Sequence, residues 1–168
     1  SKTNFDYVEK NLDKILNLDK NALQKIVLQA VKIKSEVVER DEKENNERMV
    51  LNFGHTVGHA IEKLSNYKLL HGVAVGIGIL VESKISRQLK VLSESDHARI
   101  GSLMNRLKVN EKLAQSYTKK DIIKAMKLDK KSSQGQPKFV ILRQIGQVKA
   151  VKSKHAHRVN QKVVDRCL

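Results

Sequence analysis

The run at positions 51–62, LNFGHTVGHAIE, constrains this chain more than any other segment. If the run is helical, His55 and His59 lie one turn apart on the same face, and Gly54 and Gly58 leave space beside them. The polar face of a surface helix normally carries lysine and glutamate, whereas this one carries asparagine, threonine and two histidines. The run therefore predicts a helix whose polar face borders a polar cavity.

Histidines supply the candidate chemistry of this face. Imidazole is the commonest metal ligand in proteins and titrates nearest neutrality, and a third histidine follows at His71. Thr56 follows His55, so the run lacks the glutamate base of the metalloprotease motif H-E-x-x-H. A histidine pair at this spacing is weak evidence by itself, and the cavity could hold a metal, bind an anion, or do both.

Residues 48–62, read as R-x-x-L-N-F-G-H-T-x-G-H-A-I-E, resemble the signature of the 3-dehydroquinate synthase family. The pattern K-x-x-V-V-x-x-D-E-x-E at 34–44 and H-G-x-A-V at 71–75 resemble the segments on either side of that signature. Further on, D-K-K at 129–131, F-V-I-L at 139–142 and I-G at 145–146 match the closing segment of the family in order. The resemblance therefore covers the chain from about Lys34 to its last residue.

The resemblance implies a domain organisation. Members of this family have an N-terminal α/β domain that binds NAD through a glycine-rich turn, followed by a mainly helical domain with most of the metal and substrate contacts. This chain has no glycine-rich phosphate-binding turn after a strand. We therefore expect residues 1–168 to be one helical C-terminal metal- and substrate-binding domain, a fragment from which the N-terminal NAD-binding domain is absent.

The spacing of apolar residues agrees with a mainly α fold: a multi-helix domain with a small two-stranded β element near the C-terminus. We expect helices at 4–16, 22–44, 48–64, 71–89, 94–107, 119–128 and 154–164, and strands at 138–142 and 147–151. The expected N-caps are Asp19 or Asn21, Ser93, and Thr118 with Asp121. Small residues one turn apart in the 71–89 helix, such as Gly72 and Gly76, predict close packing against a neighbouring helix.

The resemblance also implies an activity. It implies a lyase that converts 3-deoxy-arabino-heptulosonate 7-phosphate to 3-dehydroquinate and phosphate in the shikimate pathway of chorismate and aromatic amino acid biosynthesis. The implied cofactors are NAD and Zn²⁺ or Co²⁺, and the implied full-length enzyme is a cytoplasmic homodimer. We expect the isolated chain to be inactive. Two alternatives stay open: another NAD- and zinc-dependent sugar-phosphate cyclase, such as a deoxy-inosose or valiolone synthase, or a non-catalytic basic binding module on the same scaffold.

Within the resemblance, His55 and His71 correspond to the two histidine metal ligands. The family's third ligand is a glutamate from a segment that this chain does not contain. Val73 is the one departure, because the family places a glutamate after His-Gly. That replacement removes a carboxylate close to a metal ligand, so the identity of the substrate stays open.

The residues that the resemblance assigns to the substrate are Lys34, Arg48, Asn52, His59, Lys130 and Lys131. His59 and Lys34 are also the candidates for catalysis, His59 as a proton relay. Arg48 suits a carboxylate because its planar fork binds two oxygens together, and one of the two lysines is expected to reach a phosphate. We predict structural or surface roles for the remaining candidates, which are Asp41, Glu42, Glu44, His97, His155 and His157.

Composition limits the other classes of function. The net charge of +15 comes mostly from lysines spread along the chain and not interleaved with aromatics, so a nucleic-acid partner is not expected. The longest apolar stretch, at 73–81, is too short to span a membrane. The single cysteine, Cys167, excludes an internal disulfide framework and fits a reducing compartment.

Overall fold

The computed structural model describes residues 1–109, 116–128 and 136–168. These residues form a mainly helical domain with small antiparallel strand pairs near the C-terminus, which confirms the predicted fold class. The elements in chain order are α1 (Lys2–Lys10), α2 (Leu12–Leu16), α3 (Lys20–Arg40), a 3₁₀ helix (Glu47–Asn52), α4 (His55–Leu64), α5 (His71–Gln88), α6 (Glu94–Arg106), α7 (Lys119–Lys127), β1 (Lys138–Val140), β2 (Leu142–Gln144), β3 (Gln147–Val148), β4 (Ala156–Arg158) and α8 (Gln161–Cys167).

Helices α4 and α5 pack against each other and form the centre of the domain. Val57 and Ile61 of α4 and Ile77 and Ile85 of α5 are buried in one apolar cluster, to which Phe139 of β1 also belongs. Burying an aliphatic or aromatic side chain of this size contributes roughly 1.5–3 kcal/mol. The main core therefore lies directly behind the helices that carry the histidines.

Glycines allow the backbones of α4 and α5 to come this close. A Cβ at Gly58 would lie 2.9 Å from the Cα of Val75, and one at Gly78 would collide with the carbonyl oxygen of Gly54. The predicted close packing of α5 is therefore confirmed at Gly78. Gly72 is different, because a Cβ there would meet nothing within 4 Å.

The predicted N-caps of three helices are present. Asp19 accepts a hydrogen bond from the backbone N–H of Ala22 at the start of α3. Ser93 does the same for Asp96 in α6. Thr118 and Asp121 form a reciprocal capping box at the start of α7. Such caps replace hydrogen bonds that the first turn of a helix cannot make internally.

Several predicted boundaries are wrong. The first helix is interrupted at Asn11, which separates α1 from α2. The expected helix at 48–64 is divided, because Gly54 has φ of +82° and the preceding segment is a 3₁₀ helix. The predicted final helix at 154–164 is instead β4 followed by α8.

The C-terminal strands form two separate antiparallel pairs. β1 pairs with β4, with Phe139 opposite His157, and β2 pairs with β3. The Thr56 hydroxyl donates to the carbonyl oxygen of Lys138 at 2.6 Å, which joins α4 to β1. The strands therefore close one side of the histidine-bearing helix.

Helix α1 is held to α6 by arginines. Arg99 of α6 contacts Asp6 at 2.7 Å and Glu9 at 2.6 Å. Arg106 of α6 contacts Asp13 of the following helix α2 at 2.9 Å. Within the described ranges, no helix has both the length and the hydropathy needed to cross a membrane.

Candidate metal and anion site

Three imidazoles meet where α4 faces the start of α5. His55 begins α4, His59 follows one turn later, and His71 begins α5. The ring centroids of His55 and His59 are 5.2 Å apart, those of His55 and His71 5.6 Å, and those of His59 and His71 6.0 Å. The left-handed Gly54 produces this arrangement because it turns the chain so that α4 starts at His55.

A cavity of about 630 Å³ opens beside these rings. Its lining residues are Ser1, Asn4, Ala30, Ile33, Lys34, Glu44, Arg48, Leu51, Asn52, His55, His59 and His71. Every predicted site residue that lies in the described ranges therefore lines this one cavity, which we term the histidine cavity. Lys130 and Lys131 lie outside the described residues, and the roles of all these residues stay predictions.

The basic side of the histidine cavity comes from α3 and the 3₁₀ helix. Lys34 is exposed on α3. Arg48 donates from Nη1 to the carbonyl oxygen of Glu42 at 2.7 Å, which holds its guanidinium beside the loop. Lys34 and Arg48 thus line the cavity from two different elements and give this side of it positive charge.

Asp41 organises the loop that carries Arg48. Its carboxylate accepts hydrogen bonds from the backbone N–H groups of Arg48, Asn46 and Asn45. These bonds, with that from Arg48 the largest effect, lower the pKa of Asp41. Asp41 therefore has a structural role, as predicted, but through backbone groups rather than through a basic side chain.

Glu44, for which a structural role was predicted, also lies at the site. It accepts a hydrogen bond from Nδ2 of Asn52 at 2.6 Å and lines the histidine cavity. It also lines a second cavity, of about 330 Å³, on the other side of the same wall; Asn52, His55 and His59 border both spaces. The sequence does not distinguish Glu44 from the neighbouring glutamates, because its position depends on the loop that Asp41 organises.

Glu62 is the site residue that the sequence prediction missed. Its Oε2 lies 3.2 Å from Nδ1 of His71, and it lies on α4 one turn after His59. One ligand atom from each of His59, Glu62 and His71 lies within 4.8 Å of the other two. The spacing from His59 to Glu62 was a usable signal, because residues three apart share a helix face.

The donor atoms fit a divalent metal. Imidazole nitrogens and one carboxylate oxygen are the ligands that catalytic Zn²⁺ sites commonly use. The compact group contains His59 and not the predicted ligand His55, whose Nδ1 faces the carbonyl oxygen of Phe53 at 3.3 Å. The rings of the two predicted ligands, His55 and His71, therefore lie next to each other. The carboxylate of Glu62 lies beside His71 as a further possible donor.

A second carboxylate lies beneath the start of α4. Glu82 of α5 is fully buried, and burial raises its pKa to about 8. The backbone N–H groups of Gly54, Val140 and Thr56 are near enough to lower the pKa partly, but neither carboxylate oxygen makes a hydrogen bond of ordinary geometry. Burial is therefore the dominant effect, and Glu82 is held in its neutral form at neutral pH.

The other candidates lie away from the three imidazoles. Val73 packs against the main apolar core rather than toward the cavity. The ring of His97 contacts the Ser83 hydroxyl, and the rings of His155 and His157 contact backbone carbonyl oxygens. These histidines therefore belong to other parts of the surface, as predicted.

Two solved structures share this arrangement of elements. A 2-epi-5-epi-valiolone synthase from Streptomyces hygroscopicus, solved with NAD⁺ and Zn²⁺, matches 98% of this chain and 45% of its own, with a TM-score of 0.83 and 22% identity. A 2-deoxy-scyllo-inosose synthase, solved with carbaglucose-6-phosphate, NAD⁺ and Co²⁺, matches 88% of this chain and 40% of its own, with a TM-score of 0.77 and 19% identity. The chain therefore shares the fold of the matched part of each of these two synthases.

Sequence comparisons identify the family to which the chain belongs. Residues 1–132 match the family described as 3-dehydroquinate synthase C-terminal, and the chain belongs to that family. The 3-dehydroquinate synthase of Thermoanaerobacter pseudethanolicus is 42% identical over 143 residues, which are 84% of this chain and 40% of the relative. That of Pyrococcus abyssi is 42% identical over 149 residues, 86% of this chain and 43% of the relative. The chain thus spans about two fifths of the length of these relatives.

Proposed function

We propose that this chain is the metal- and substrate-binding domain of a 3-dehydroquinate synthase, which converts 3-deoxy-arabino-heptulosonate 7-phosphate to 3-dehydroquinate and phosphate. The observation that carries the proposal is the convergence of Lys34, Arg48 and Asn52 with the three histidines on one cavity. Cations and an amide on one side and imidazoles on the other suit a small molecule that carries both a carboxylate and a phosphate.

Each polar group has a part in this proposal. Arg48 and Lys34 bind the substrate carboxylate and hydroxyl groups, and Asn52 donates to the phosphate. His59 lies beside Asn52 on the wall of the cavity, where an imidazole can take or return a proton as phosphate leaves. Holding both ends of the substrate keeps intermediates in place between steps, because release would need both sets of contacts to break.

His55 and His71 would hold the metal in this proposal. The implied cofactors, NAD and Zn²⁺ or Co²⁺, would supply transient oxidation of a ring hydroxyl and polarisation of its oxygen. The chain has no glycine-rich turn for NAD, so the NAD site belongs to the N-terminal domain that the family resemblance implies. The homodimer, the cytoplasmic location and the shikimate-pathway role are parts of the same proposal.

The choice among cyclases rests on sequence identity. The curated relatives at about two fifths identity are 3-dehydroquinate synthases. The inosose and valiolone synthases share the fold at 19% and 22% identity. The presence of Arg48 in the cavity also favours a substrate with a carboxylate, because a sugar phosphate without a carboxylate would not need this arginine.

The test is phosphate release from 3-deoxy-arabino-heptulosonate 7-phosphate by the full-length protein with NAD and Zn²⁺. We expect release that disappears in His71→Ala and persists in His157→Ala, a histidine outside the cavity. Glucose 6-phosphate, whose carbocyclic analogue is bound in the inosose synthase, serves as the alternative substrate in a parallel assay. Turnover of glucose 6-phosphate in place of the heptulosonate phosphate would assign the chain to another cyclase.

A further inference from the structure

We infer that Glu62 is a positioning residue that orients His71 for metal binding. This inference rests on the proposed metal role of His71. The carboxylate acts through the imidazole: it accepts the proton on Nδ1 and thereby leaves Nε2 unprotonated, with its lone pair available to a divalent cation.

The contact geometry supports this role. Oε2 of Glu62 lies 3.2 Å from Nδ1 of His71, within hydrogen-bonding distance. A carboxylate oxygen that faces a ring nitrogen at this distance accepts from its N–H, so Nδ1 carries the proton in the inferred arrangement. A neutral imidazole carries one proton, and the other nitrogen is then the ligand atom. The Glu62 contact therefore determines which nitrogen of His71 can bind a metal.

The positions of the two side chains explain why His71 needs such a partner. His71 begins α5, and its side chain is 55% exposed. The Glu62 side chain is only 18% exposed and projects from the second half of α4, where Ala60 and Ile61 are buried. A more buried carboxylate thus contacts a more exposed imidazole and can hold its ring in one orientation. Carboxylate partners of this kind orient histidine ligands in many metal sites.

The Glu62 contact also clarifies the departure at Val73. The family has a carboxylate after His-Gly, and this chain has an apolar residue that packs against the core. Glu62 places a carboxylate on His71 from a different helix, so the orientation of His71 does not depend on position 73. Restoring glutamate there is therefore expected to leave the metal affinity unchanged.

The experiment has two readouts on this chain. NMR chemical shifts of the two ring nitrogens of His71 report the tautomer without any metal, and a competition titration with a chromophoric chelator reports Zn²⁺ affinity. In Glu62→Ala we expect the Nδ1–H tautomer to lose its predominance and the Zn²⁺ affinity to fall by roughly 10–100-fold. In Glu62→Gln the amide oxygen still accepts from Nδ1, so the tautomer is expected to persist with a smaller loss of affinity. Val73→Glu and the exposed Glu39→Gln are matched controls, expected to match the unsubstituted chain in both readouts.

Three results would overturn the inference. One is an Nε2–H tautomer of His71 in the unsubstituted chain. This result would count against the inference whether or not the chain binds Zn²⁺. Another is an unchanged tautomer in Glu62→Ala. The last is a changed visible spectrum of the Co²⁺-saturated Glu62→Gln variant, since that would make Glu62 a direct ligand together with His59 and His71. None of these readouts uses turnover, so failure of the inference is separate from failure of the proposed reaction.

Discussion

A Cβ added to Gly78 of α5 would collide with the carbonyl oxygen of Gly54, the residue that begins the turn into α4. The same Cβ would lie 2.9 Å from the backbone nitrogen of Gly58. Both neighbours are backbone atoms of the segment that carries His55, and backbone cannot rotate away as a flexible side chain can. The position of the histidine face thus depends on the lack of a side chain on the helix behind it.

Gly78→Ala is therefore expected to destabilise the domain by about 3 kcal/mol, as overpacking against fixed atoms does. Gly101→Ala is the matched control, because Gly101 also lies within a helix and a Cβ there meets nothing within 4 Å. That control should gain about 0.5–1 kcal/mol from helix propensity. Urea denaturation of both variants checks the difference, and equal effects at the two sites would contradict the packing argument.

The buried carboxyl of Glu82 predicts a stability that falls as pH rises. Its pKa is 4.5 in a model peptide and about 8 in the folded protein, so the folded state retains the proton over a range in which the unfolded chain releases it. The associated stability is complete below pH 4.5 and is lost as pH rises to about 8. One pKa unit corresponds to about 1.4 kcal/mol, so the loss amounts to several kcal/mol.

Glu82→Gln is expected to remove this part of the pH dependence, because an amide does not ionise. The measurement is the free energy of unfolding from urea titrations across that pH range. Glu39→Gln, at an exposed position on α3, provides the control and should keep the slope of the unsubstituted protein. A slope retained in Glu82→Gln would mean that other groups cause it.

Arg48→Lys tests the proposed grip on the substrate carboxylate. Lysine keeps the charge but cannot form the two-pronged contact, and it also loses the hydrogen bond to the Glu42 carbonyl. In the full-length enzyme we expect KM for the heptulosonate phosphate to rise roughly 10-fold, with a smaller change in kcat. The reason is that a contact made throughout the reaction stabilises the bound substrate and the transition state equally. Steady-state kinetics beside Arg40→Lys, whose guanidinium pairs with Glu47 outside both cavities, provide the comparison. A lower kcat at unchanged KM would place Arg48 in the chemistry instead.

Arg99→Gln is expected to loosen α1 without unfolding the core. Arg99 bridges Asp6 and Glu9 of α1, and these contacts raise the pKa of its guanidinium further above its usual range. Because Asn4 of α1 and its N-cap Ser1 line the histidine cavity, release of α1 would also widen that cavity. Hydrogen exchange should become faster in Lys2–Lys10 and stay unchanged in His71–Gln88. Arg87→Gln, which loses an exposed contact to Glu94, should leave both segments unchanged.

Local signals predicted the helices well where the determinants are close in sequence. The caps at Asp19, Ser93 and Thr118 each depend on a side chain and a backbone N–H three residues further on, so the local sequence contains both partners. The apolar spacing of α3 and α5 likewise predicted their extents to within a few residues. The membership of the family followed from the signature at 48–62.

Elements whose partners are remote were predicted poorly. Residues 154–164 were expected to be helical, but Ala156–Arg158 pairs with β1. Just before them, Lys152 and Ser153 turn the chain through left-handed conformations. A strand is stabilised by hydrogen bonds to another strand, and the register of that pairing is absent from local periodicity. The break at Gly54 in the helix expected at 48–64 was missed for a similar reason. Gly54 adopts its positive φ where it packs against α5, a segment remote from it in sequence.

The amino-acid sequence by itself determined the helical character of the chain, its caps, its family and the residue types of the site. Only the tertiary structure decided that Lys34 of α3, Arg48 of the 3₁₀ helix and His71 of α5 share one cavity, that Glu44 stands in its wall, and that Glu62 contacts His71. The physical reason is that propensity and capping act within a turn or two of the chain. A binding site instead depends on how separate elements pack, and close approach at Gly58 and Gly78 brings these elements together.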